Sequence, residues 1–311
     1  MTATRFRLFP LAAALSICAG APALAQLPDP EDVTVQKIPL NGGLHMLMGM
    51  GGNIALSAGE EGIYIIDGDA EPVGEKVAAA IAEISTQPVE MLFNTHWHAD
   101  HTGSNARLGQ EGVTIVAHDN ARIRMSTTQY NAAVDTETPA APNIALPGIT
   151  FDNTATFYVN GIMMQALHLP AAHTDSDVVF LFPEANVAHL GDIFFNKRYP
   201  MIDIDSGGSL EGMIAAVDQI LPMLNEDTQI IPGHGPLATL EDLKTYRNML
   251  ALVSARIKVL IEEGKDREQV IALKPSINFD ADWAWEFLPP ELWVSILYTS
   301  LAGPVEEQDA D

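Results

Sequence analysis

Cysteine is almost absent from the sequence, since Cys18 is the only one in 311 residues. It lies within an N-terminal segment that we expect to be removed, so the mature chain can form no disulfide and offers no thiolate to a metal. Any metal site must therefore be built from imidazole and carboxylate groups.

Basic residues are also scarce, with 16 Lys and Arg against 41 Asp and Glu and a formal net charge of −25. Such a balance excludes nucleic acid as an expected partner, because phosphate binding needs clustered Lys and Arg. The plainest interpretation of the acidity is solubility. No apolar run beyond the N-terminus reaches the roughly 18 residues of a membrane span. We therefore expect a small-molecule substrate and no membrane anchoring of the mature chain.

The first 25 residues have the organisation of a secretory signal peptide. Its parts are a basic region at Arg5 and Arg7, an apolar segment over Leu8–Ile17 and a small-x-small motif at Ala23-Leu24-Ala25. We predict cleavage between Ala25 and Gln26 and export to the periplasm. An uncleaved anchor is disfavoured by the shortness of the apolar segment, and a lipoprotein by the bulk of Ile17 next to Cys18. With two basic residues and no acid in the segment, cleavage would change the net charge from −25 to −27.

Hydrophobic periodicity predicts two β-rich halves, each followed by helices. The predicted strands are Val33–Leu40, Leu44–Met48, Asn53–Ser57, Gly62–Asp67, Val89–Phe93, Val113–Ala117, Ile162–Leu167, Val178–Phe182, Val187–Leu190 and Thr228–Ile231. The predicted helices are Val73–Ile84, Ser209–Leu224 and Leu240–Glu263, with further helical segments to about Leu301. This order suits one α/β domain over residues 26–311, with two packed sheets, helices outside them, and C-terminal helices from about residue 238 packing on it. The Pro-rich stretch Thr138–Pro147 is predicted to be a long surface loop, a type of segment that often has a functional role.

The strongest functional signal is the segment Asn94–Gly103 (NTHWHADHTG), directly after the buried strand predicted at Val89–Phe93. Its candidate ligands are His96, His98, Asp100 and His101. Three histidines and an aspartate within six residues indicate ligands of a site, because so dense a cluster is not expected from structural roles alone. His173, Asp192 and His234 each follow a predicted strand, where a rigid scaffold can aim a ligand.

The pattern HxHxDH, followed by a His, an Asp and a His in a PGHG segment, resembles the metallo-β-lactamase superfamily over roughly residues 35–240. The HTDSD and GDIFFNKRYP segments are similar to its periplasmic, SoxH-like members. The resemblance implies an αββα sandwich with two zinc ions, iron or manganese being alternatives. It assigns His96, His98 and His173 to the first metal and Asp100, His101 and His234 to the second. Asp192 would bridge the two.

The resemblance also implies a hydrolase in which a metal-activated hydroxide attacks a carbonyl, because metals lower the pKa of water from about 15.7 to about 7. Asp100 is expected to orient this nucleophile or pass on its proton. A β-lactamase with a role in antibiotic resistance is the first expectation, since export would bring the protein to such substrates. The bridging Asp192, however, resembles the glyoxalase and lactonase branches. The cysteine-using lactamases have a thiolate at this position, and the histidine-rich lactamases lack the bridge.

Three other functions therefore stay open. One is a lactonase or thioesterase, which fits the bridging aspartate equally well. Another is a mononuclear iron sulfur dioxygenase. The last is a periplasmic metal-binding protein without catalysis, which the complete ligand set disfavours.

Several other residues are candidates for roles around the metals. Asp67, at the end of a predicted strand, is expected to hydrogen-bond a ligand histidine and fix its tautomer. Lys197, Arg198 and Tyr199 are candidates for binding a substrate carboxylate, although an exposed loop is an equally simple interpretation. Trp97 is expected to line the pocket or to pack.

The remaining histidines and the C-terminal aromatic residues have mostly structural interpretations. His118 is expected to cap or pack a helix, His168 and His189 to be structural, and His45 to have no functional partner. The apolar C-terminal residues are Trp283, Trp285, Phe287, Leu292, Trp293 and Leu297. We expect most of them to cover the core, a dimer interface or a pocket wall being the alternative.

Overall fold

The computed structural model describes residues 29–303, so the predicted signal peptide and Cys18 lie outside the described residues. Within this range the strands are β1 Gln36–Pro39, β2 Leu44–Met48, β3 Ile54–Gly59, β4 Gly62–Ile66, β5 Val89–Phe93, β6 Thr114–His118, β7 Gln129–Asn131, β8 Thr136–Thr138, β9 Ile149–Phe151, β10 Thr154–Val159, β11 Ile162–His168, β12 Val178–Phe182, β13 Val187–His189 and β14 Gln229–Ile231. The helices are α1 Gly74–Ile84, α2 Ala99–Thr102, α3 Asn105–Gln110, α4 Asp119–Met125, α5 Leu210–Ile220, α6 Leu240–Glu262, α7 Arg267–Ala272, α8 Asp280–Trp283 and α9 Pro290–Ala302.

The strands form two large sheets and one small hairpin. The first sheet has the order β1-β2-β3-β4-β5-β6-β9, and the second has the order β10-β11-β12-β13-β14. Pairing is parallel from β4 to β9 in the first sheet and between β13 and β14 in the second, and antiparallel elsewhere. The parallel strands need helical crossovers, which α1, α3 and α5 supply.

The two sheets pack face to face on a shared apolar core. Phe93 on β5 contacts Phe157 and Phe180 of the second sheet, with ring centroids 4.8 and 5.8 Å apart in edge-to-face geometry. Buried Met46 and Val116 of the first sheet belong to the same cluster. This interior holds the sandwich together, because each large apolar side chain removed from water contributes about 1.5–3 kcal/mol.

Helices cover both outer faces, which confirms the predicted αββα sandwich. On the first sheet, Val77 and Ile81 of α1 pack on buried residues such as Ile65. On the second sheet, the large outer cluster contains residues of α5, α6 and α9, including Trp293. The C-terminal helices thus pack on the second sheet.

Most element boundaries agree with the sequence-based expectations, and the differences have local causes. The helix predicted over Ser209–Leu224 ends at Ile220, and a short 3-10 turn containing Pro222 follows it, because proline lacks the N–H that would continue an α-helix. Helix α6 starts where expected because Thr239 and Asp242 form a reciprocal capping box.

The segment near the predicted Pro-rich loop contains a hairpin that the sequence pattern did not indicate. Strands β7 and β8 pair only with each other, and the backbone N–H of Ala132 donates to the carboxylate of Asp205 at 2.7 Å. The hairpin therefore lies at the edge of the sandwich, and this hydrogen bond connects it to the loop over residues 201–206. None of the helices within residues 29–303 combines the length and the apolar character needed to cross a bilayer.

Candidate metal centre and substrate cleft

All seven predicted metal ligands lie at one edge of the sandwich, where strands end. The chain leaves β5 at Phe93 and turns through residues 94–98 into α2, which brings four of the ligands together. The other three follow strands of the second sheet: His173 lies between β11 and β12, Asp192 after β13 and His234 after β14. The seven residues fall into two donor groups: His96, His98, His173 and Asp192 in the first, and Asp100, His101 and His234 in the second.

The turn that carries His234 needs glycine for a close approach of two backbones. A Cβ on Gly233 would overlap the carboxylate of Asp192. Only glycine lets the two loops come this near, so the PGHG segment brings a histidine of one loop to the aspartate of the other.

In the first donor group three imidazole nitrogens converge on one point. His98 Nδ1 lies 3.1 Å from His96 Nε2 and 2.8 Å from His173 Nε2. The opposite nitrogen of His98 faces the Asp203 carboxylate at 2.9 Å, and that of His173 faces the Met201 carbonyl oxygen at 2.8 Å. Both partners only accept hydrogen bonds, so these nitrogens must donate. The converging nitrogens of the neutral rings then carry lone pairs.

The same reasoning applies to His96, whose ring is connected to Asp67 through the Thr95 hydroxyl. The Thr95 hydroxyl donates to Asp67 at 2.8 Å, so its oxygen accepts from His96 Nδ1 at 3.0 Å. His96 Nε2 therefore also presents a lone pair to the centre of the group. Three lone pairs that face one another repel unless a cation lies between them, and neutral imidazole nitrogens are common metal ligands. The first group thus fits a metal ion.

The histidines of the second donor group lie beside two carboxylates, Asp100 of the same group and Asp192 of the first group. His101 Nε2 lies 3.0 Å from Asp192 Oδ1, and His234 Nε2 lies 3.2 Å from Asp100 Oδ2. The far nitrogen of His101 donates to Asp67 at 2.8 Å, as expected for the residue that orients a ligand histidine. Its near nitrogen therefore also has a lone pair for a cation when the ring is neutral.

Asp192 lies between the two groups. Its Oδ2 is 3.4 Å from His173 Nε2 and 3.4 Å from His234 Nε2, while its buried Oδ1 accepts no hydrogen bond from any residue in the range 29–303. A buried carboxylate oxygen without a donor is strongly unfavourable unless a cation compensates it. The donor set of this residue suits a shared ligand of two ions.

Charge differs between the two groups. Burial lowers the pKa of His173, and despite the opposing effect of Asp192 it reaches about 4, so this ring is neutral and ready to coordinate. Burial also acts to lower the pKa of His234, but the carboxylates of Asp192 and Asp100 outweigh it and raise the pKa to about 9. The second group therefore requires positive charge, which a bound divalent cation would supply.

A cleft of about 380 Å³ opens over the donor groups. Its apolar wall consists of Met50, Trp97, Val134, Phe195, Met201, Trp285 and Phe287, and the hairpin adds Asn131, Thr136 and Thr138. Arg198 is the one Lys or Arg among the described residues that line it. Asp100 faces this space with 39% of its side chain exposed. The cleft suits a small substrate with a partly apolar body.

The predicted substrate-binding residues occupy different positions in the structure. Trp97 and Arg198 line the cleft, whereas Lys197 is exposed and is not among the lining residues. Tyr199 is fully buried; its hydroxyl donates to Asp280 at 2.7 Å and its ring stacks on Trp293 at 3.8 Å. The carboxylate-binding role predicted for Lys197 and Tyr199 does not fit these positions, because neighbouring side chains in this loop point in different directions.

Asp203 was not predicted from the sequence, and Asp69, which ends the same predicted strand as Asp67, has a different role from the one considered for a carboxylate at that position. Asp203 orients His98, and Asp69 accepts from the backbone N–H of Gly51 at 2.6 Å, which holds the β2–β3 loop against the cleft. The segment MIDIDSGG carries no pattern that distinguishes Asp203 from Asp205. For Trp285 and Phe287 the pocket-wall alternative applies, whereas Trp283, Trp293 and Leu297 are core residues.

The other histidines are structural, as expected. His118 caps α4 by accepting from Asn120 N, and it stacks on His168 at 3.6 Å. His189 is buried, and its Nε2 donates to the carbonyl of Asn53 at 3.0 Å. His45 Nδ1 has no partner among the described residues.

Several related proteins are named as hydroxyacylglutathione hydrolases. The hydroxyacylglutathione hydrolase GloC of Haemophilus influenzae is 30% identical over 186 residues, which are 58% of this chain and 84% of that protein. A hydroxyacylglutathione hydrolase of Nitrosococcus oceani is 28% identical over 53% of this chain and 55% of its own length. The lactamase-like protein aptB of Emericella nidulans is 27% identical over 70% of this chain and 61% of that protein. The chain thus spans only a little over half the length of the last two.

Solved structures share the fold at low sequence identity. A metallo-β-lactamase from Pontibacter korlensis superposes with a TM-score of 0.57 at 18% identity, covering 70% of this chain and 99% of that one. The sec-alkylsulfatase Pisa1 from Pseudomonas sp. superposes with a TM-score of 0.64 at 15% identity, over 89% of this chain and 52% of its own. The family model of the metallo-β-lactamase superfamily matches residues 49–257, and this range contains all seven donor residues. The chain therefore belongs to the metallo-β-lactamase superfamily, as one of its hydrolases.

Proposed function

We propose that the protein is a dinuclear zinc hydrolase that cleaves an ester or thioester bond of a small molecule. The position of Asp192 carries the proposal, because one carboxylate oxygen lies 3.0 Å from His101 of one donor group and the other 3.4 Å from His173 of the other. Histidine and carboxylate ligands suit zinc, and carboxylates bridge paired ions in two-metal sites. Iron or manganese would fit the same donors less specifically.

Zinc, when bound, would lower the pKa of a coordinated water to about 7 and polarise the substrate carbonyl. The chain itself supplies the orientation. Asp67, Asp203 and the Met201 carbonyl hold the ligand rings in one tautomer, so that the donor nitrogens face the centre. Asp100 has an oxygen beside His234 and a side chain partly open to the cleft, which places it to hold a proton between the attacking water and the leaving group.

The choice of bond rests on the relatives and on the donor set. Two of the three relatives described above are named as hydrolases of hydroxyacylglutathione thioesters. The bridging Asp192 fits this chemistry and departs from the lactamase patterns. A β-lactam is the second candidate substrate, because the predicted signal peptide would bring the protein to such substrates. This alternative therefore includes the proposal that the protein is exported to the periplasm. The acidic chain also supports a small-molecule substrate over nucleic acid.

Zinc-loaded protein over residues 26–311 would be assayed with a hydroxyacylglutathione, with the same acyl group on a small neutral thiol, and with a chromogenic cephalosporin. Thiol release is followed with a disulfide dye, and zinc per chain is measured on the same samples. We expect thioester turnover at two zinc ions per chain. Chelation or His98→Ala should abolish it, whereas the matched histidine control His45→Ala should not.

Two results would contradict the proposal. A cephalosporin kcat/KM above that of both thioesters would favour the lactamase alternative. Full activity after removal of the metal would exclude the metal mechanism for every substrate.

A further inference from the structure

A second cavity, of about 200 Å³, lies beside the metal cleft and is lined in part by the Pro-rich segment over residues 138–147. We name this space the side cavity. It shares Trp97, Ala99 and Thr138 with the cleft, so the two spaces have a common wall. Most of its other lining residues are small or cyclic: Gly103, Ala106, Pro139, Ala141, Pro142 and Ala145. An apolar cavity of about 150 Å³ can hold benzene, so the side cavity is large enough for a phenyl group.

Hydrogen bonds hold the Pro-rich segment in place around the side cavity. Ala141 N donates to the Met125 carbonyl at 2.8 Å, and the buried amide of Asn105 donates to the Ala145 carbonyl at 3.1 Å. Asn105 also exchanges two amide hydrogen bonds with Asn94, the first residue of the segment that carries four of the donors. Proline restricts φ and limits collapse of the segment into the space. The side cavity is thus already formed in the fold, as ligand sites usually are.

The charged side chains that line the side cavity are paired or exposed. Arg124 Nη2 donates to the Asp175 carboxylate at 2.8 Å, and Glu71 is exposed to solvent. The Thr102 hydroxyl donates to the His98 carbonyl at 3.1 Å. A charged group that entered this space would lose hydration without gaining a free partner of opposite charge. The side cavity therefore suits an uncharged, apolar group.

Trp97 forms the partition between the side cavity and the metal cleft. Its ring centroid lies 4.5 Å from that of the donor His98, so the partition directly adjoins the first donor group. Its buried Nε1 has no acceptor within residues 29–303. Packing alone therefore holds the indole, and the unmet N–H favours a rotation that brings an acceptor to it. Such a rotation would join the side cavity to the cleft.

We propose that the side cavity is a substrate subsite for an uncharged apolar group of about phenyl size, and that Trp97 is the gate through which this group enters from the cleft. The proposal rests on the proposed function and adds the substrate class: an ester or thioester with such a group on one side of the reacting bond. The reacting bond would lie at the donors, and the apolar group would lie past Trp97, against the Pro-rich segment.

The kinetic test uses three uncharged thioesters. S-ethyl 4-phenylbutanethioate has a phenyl group on the acyl side, S-(2-phenylethyl) butanethioate has it on the thiol side, and S-ethyl butanethioate has none. Zinc-loaded wild type, Ala106→Leu and Ala78→Leu are compared at equal zinc content. Ala106→Leu fills the side cavity. Ala78→Leu is the matched control, because it adds the same side chain at a half-buried helix position that lines neither space.

We expect Ala106→Leu to lower kcat/KM about tenfold to a hundredfold for one of the two phenyl thioesters, as for the lost burial of one phenyl group. The other two thioesters should change by less than about twofold. Ala78→Leu should leave all three values unchanged.

A binding measurement locates the phenyl group without the reaction. Zinc-loaded protein is labelled with ¹³C at the methionine methyl groups, single Met→Leu substitutions assign the signals, and 4-phenylbutanamide and butanamide are the probes. Of the two spaces, Met125 lines only the side cavity, whereas Met50 and Met201 line only the cleft. We expect 4-phenylbutanamide to shift the Met125 signal through its ring current and butanamide to leave it in place. Ala106→Leu should remove the shift.

Shifts of Met50 and Met201 with an unchanged Met125 signal would overturn the proposal, since the phenyl group would then stay in the cleft. A folded Ala106→Leu without selective loss for either phenyl thioester would also overturn it. If this variant does not fold, the Met125 signal of the wild type decides. If the wild type hydrolyses none of the thioesters, the proposed function fails, and the Met125 signal still decides the subsite.

Discussion

Replacing Asp67 by Asn should weaken mainly the second metal, because Asp67 contacts His101 directly and reaches His96 only through the Thr95 hydroxyl. The wild-type carboxylate accepts three hydrogen bonds at 2.8 Å, from Thr95 N, from the Thr95 hydroxyl and from His101 Nδ1. An amide has one oxygen, so either orientation of Asn places its NH₂ group against an N–H. The strain is relieved when His101 moves its proton to Nε2, and that nitrogen then cannot coordinate. Loss of such an orienting partner lowers metal affinity about 10–100-fold, or about 1.4–2.8 kcal/mol.

Asp203→Asn is the matched variant for the first metal. Asp203 accepts from His98 at 2.9 Å and from Ser206 N at 3.2 Å, so its amide would also meet a donor in either orientation. Burial acts to raise the pKa of Asp203, but the hydrogen bond and charge of His98, the hydrogen bond from Ser206 and the charge of His173 together lower the pKa to about 2, so the wild-type group is ionised at neutral pH. We expect a loss of about tenfold or more in affinity for the first ion, with the second ion retained.

Both variants are titrated with zinc against a chromophoric chelator, and zinc per chain is measured after dialysis. Thermal unfolding of the metal-free proteins checks that they fold. Unchanged affinities in Asp67→Asn would refute the tautomer argument. Equal loss of both ions in both variants would mean that the two groups do not act through separate orienting carboxylates.

Three further substitutions test the packing around the site. Gly52→Ala should lower the zinc content toward one per chain, because a Cβ there would overlap the His101 ring. Tyr199→Phe should lower the free energy of unfolding by about 1–2 kcal/mol through loss of the buried bond to Asp280, without changing zinc content. Thr239→Ala should cost about 1 kcal/mol, since it removes the N-cap of α6, while kcat stays unchanged. Two zinc ions in the first variant, or an unchanged denaturation midpoint in either of the others, would contradict the respective expectation.

The donor residues could be predicted from the sequence because each follows a strand. A buried strand ends at a definite residue, and the next few side chains are then confined to one edge of the sheet. The resemblance to the metallo-β-lactamase superfamily then implied that His96 and His234, 138 positions apart in the sequence, belong to one site. The order of strands and helices follows from hydrophobic periodicity, whereas the β7–β8 hairpin and the end of α5 before Pro222 differ from the expected elements.

Residues in loops without a repeating pattern could not be assigned in this way. Arg198 and Tyr199 are neighbours in one loop, yet one lines the cleft and the other is buried, because the fold of that loop depends on docking of the C-terminal segment. Lys197 adopts a positive φ of 57°, which no propensity of lysine indicates. Asp203 is likewise placed by the loop and not by a strand.

The C-terminal segment links packing to substrate choice. The superfamily match ends at residue 257, while Trp285 and Phe287 lie beyond it and form part of the cleft wall. The matched part thus carries the donors, and the segment beyond it contributes part of the cleft wall next to them. Because Tyr199 and Trp293 hold this segment on the sheet, a change in their packing would move the wall without moving a donor. We therefore expect substitutions in this segment, outside the motif that identifies the chemistry, to change substrate selectivity without changing the zinc content.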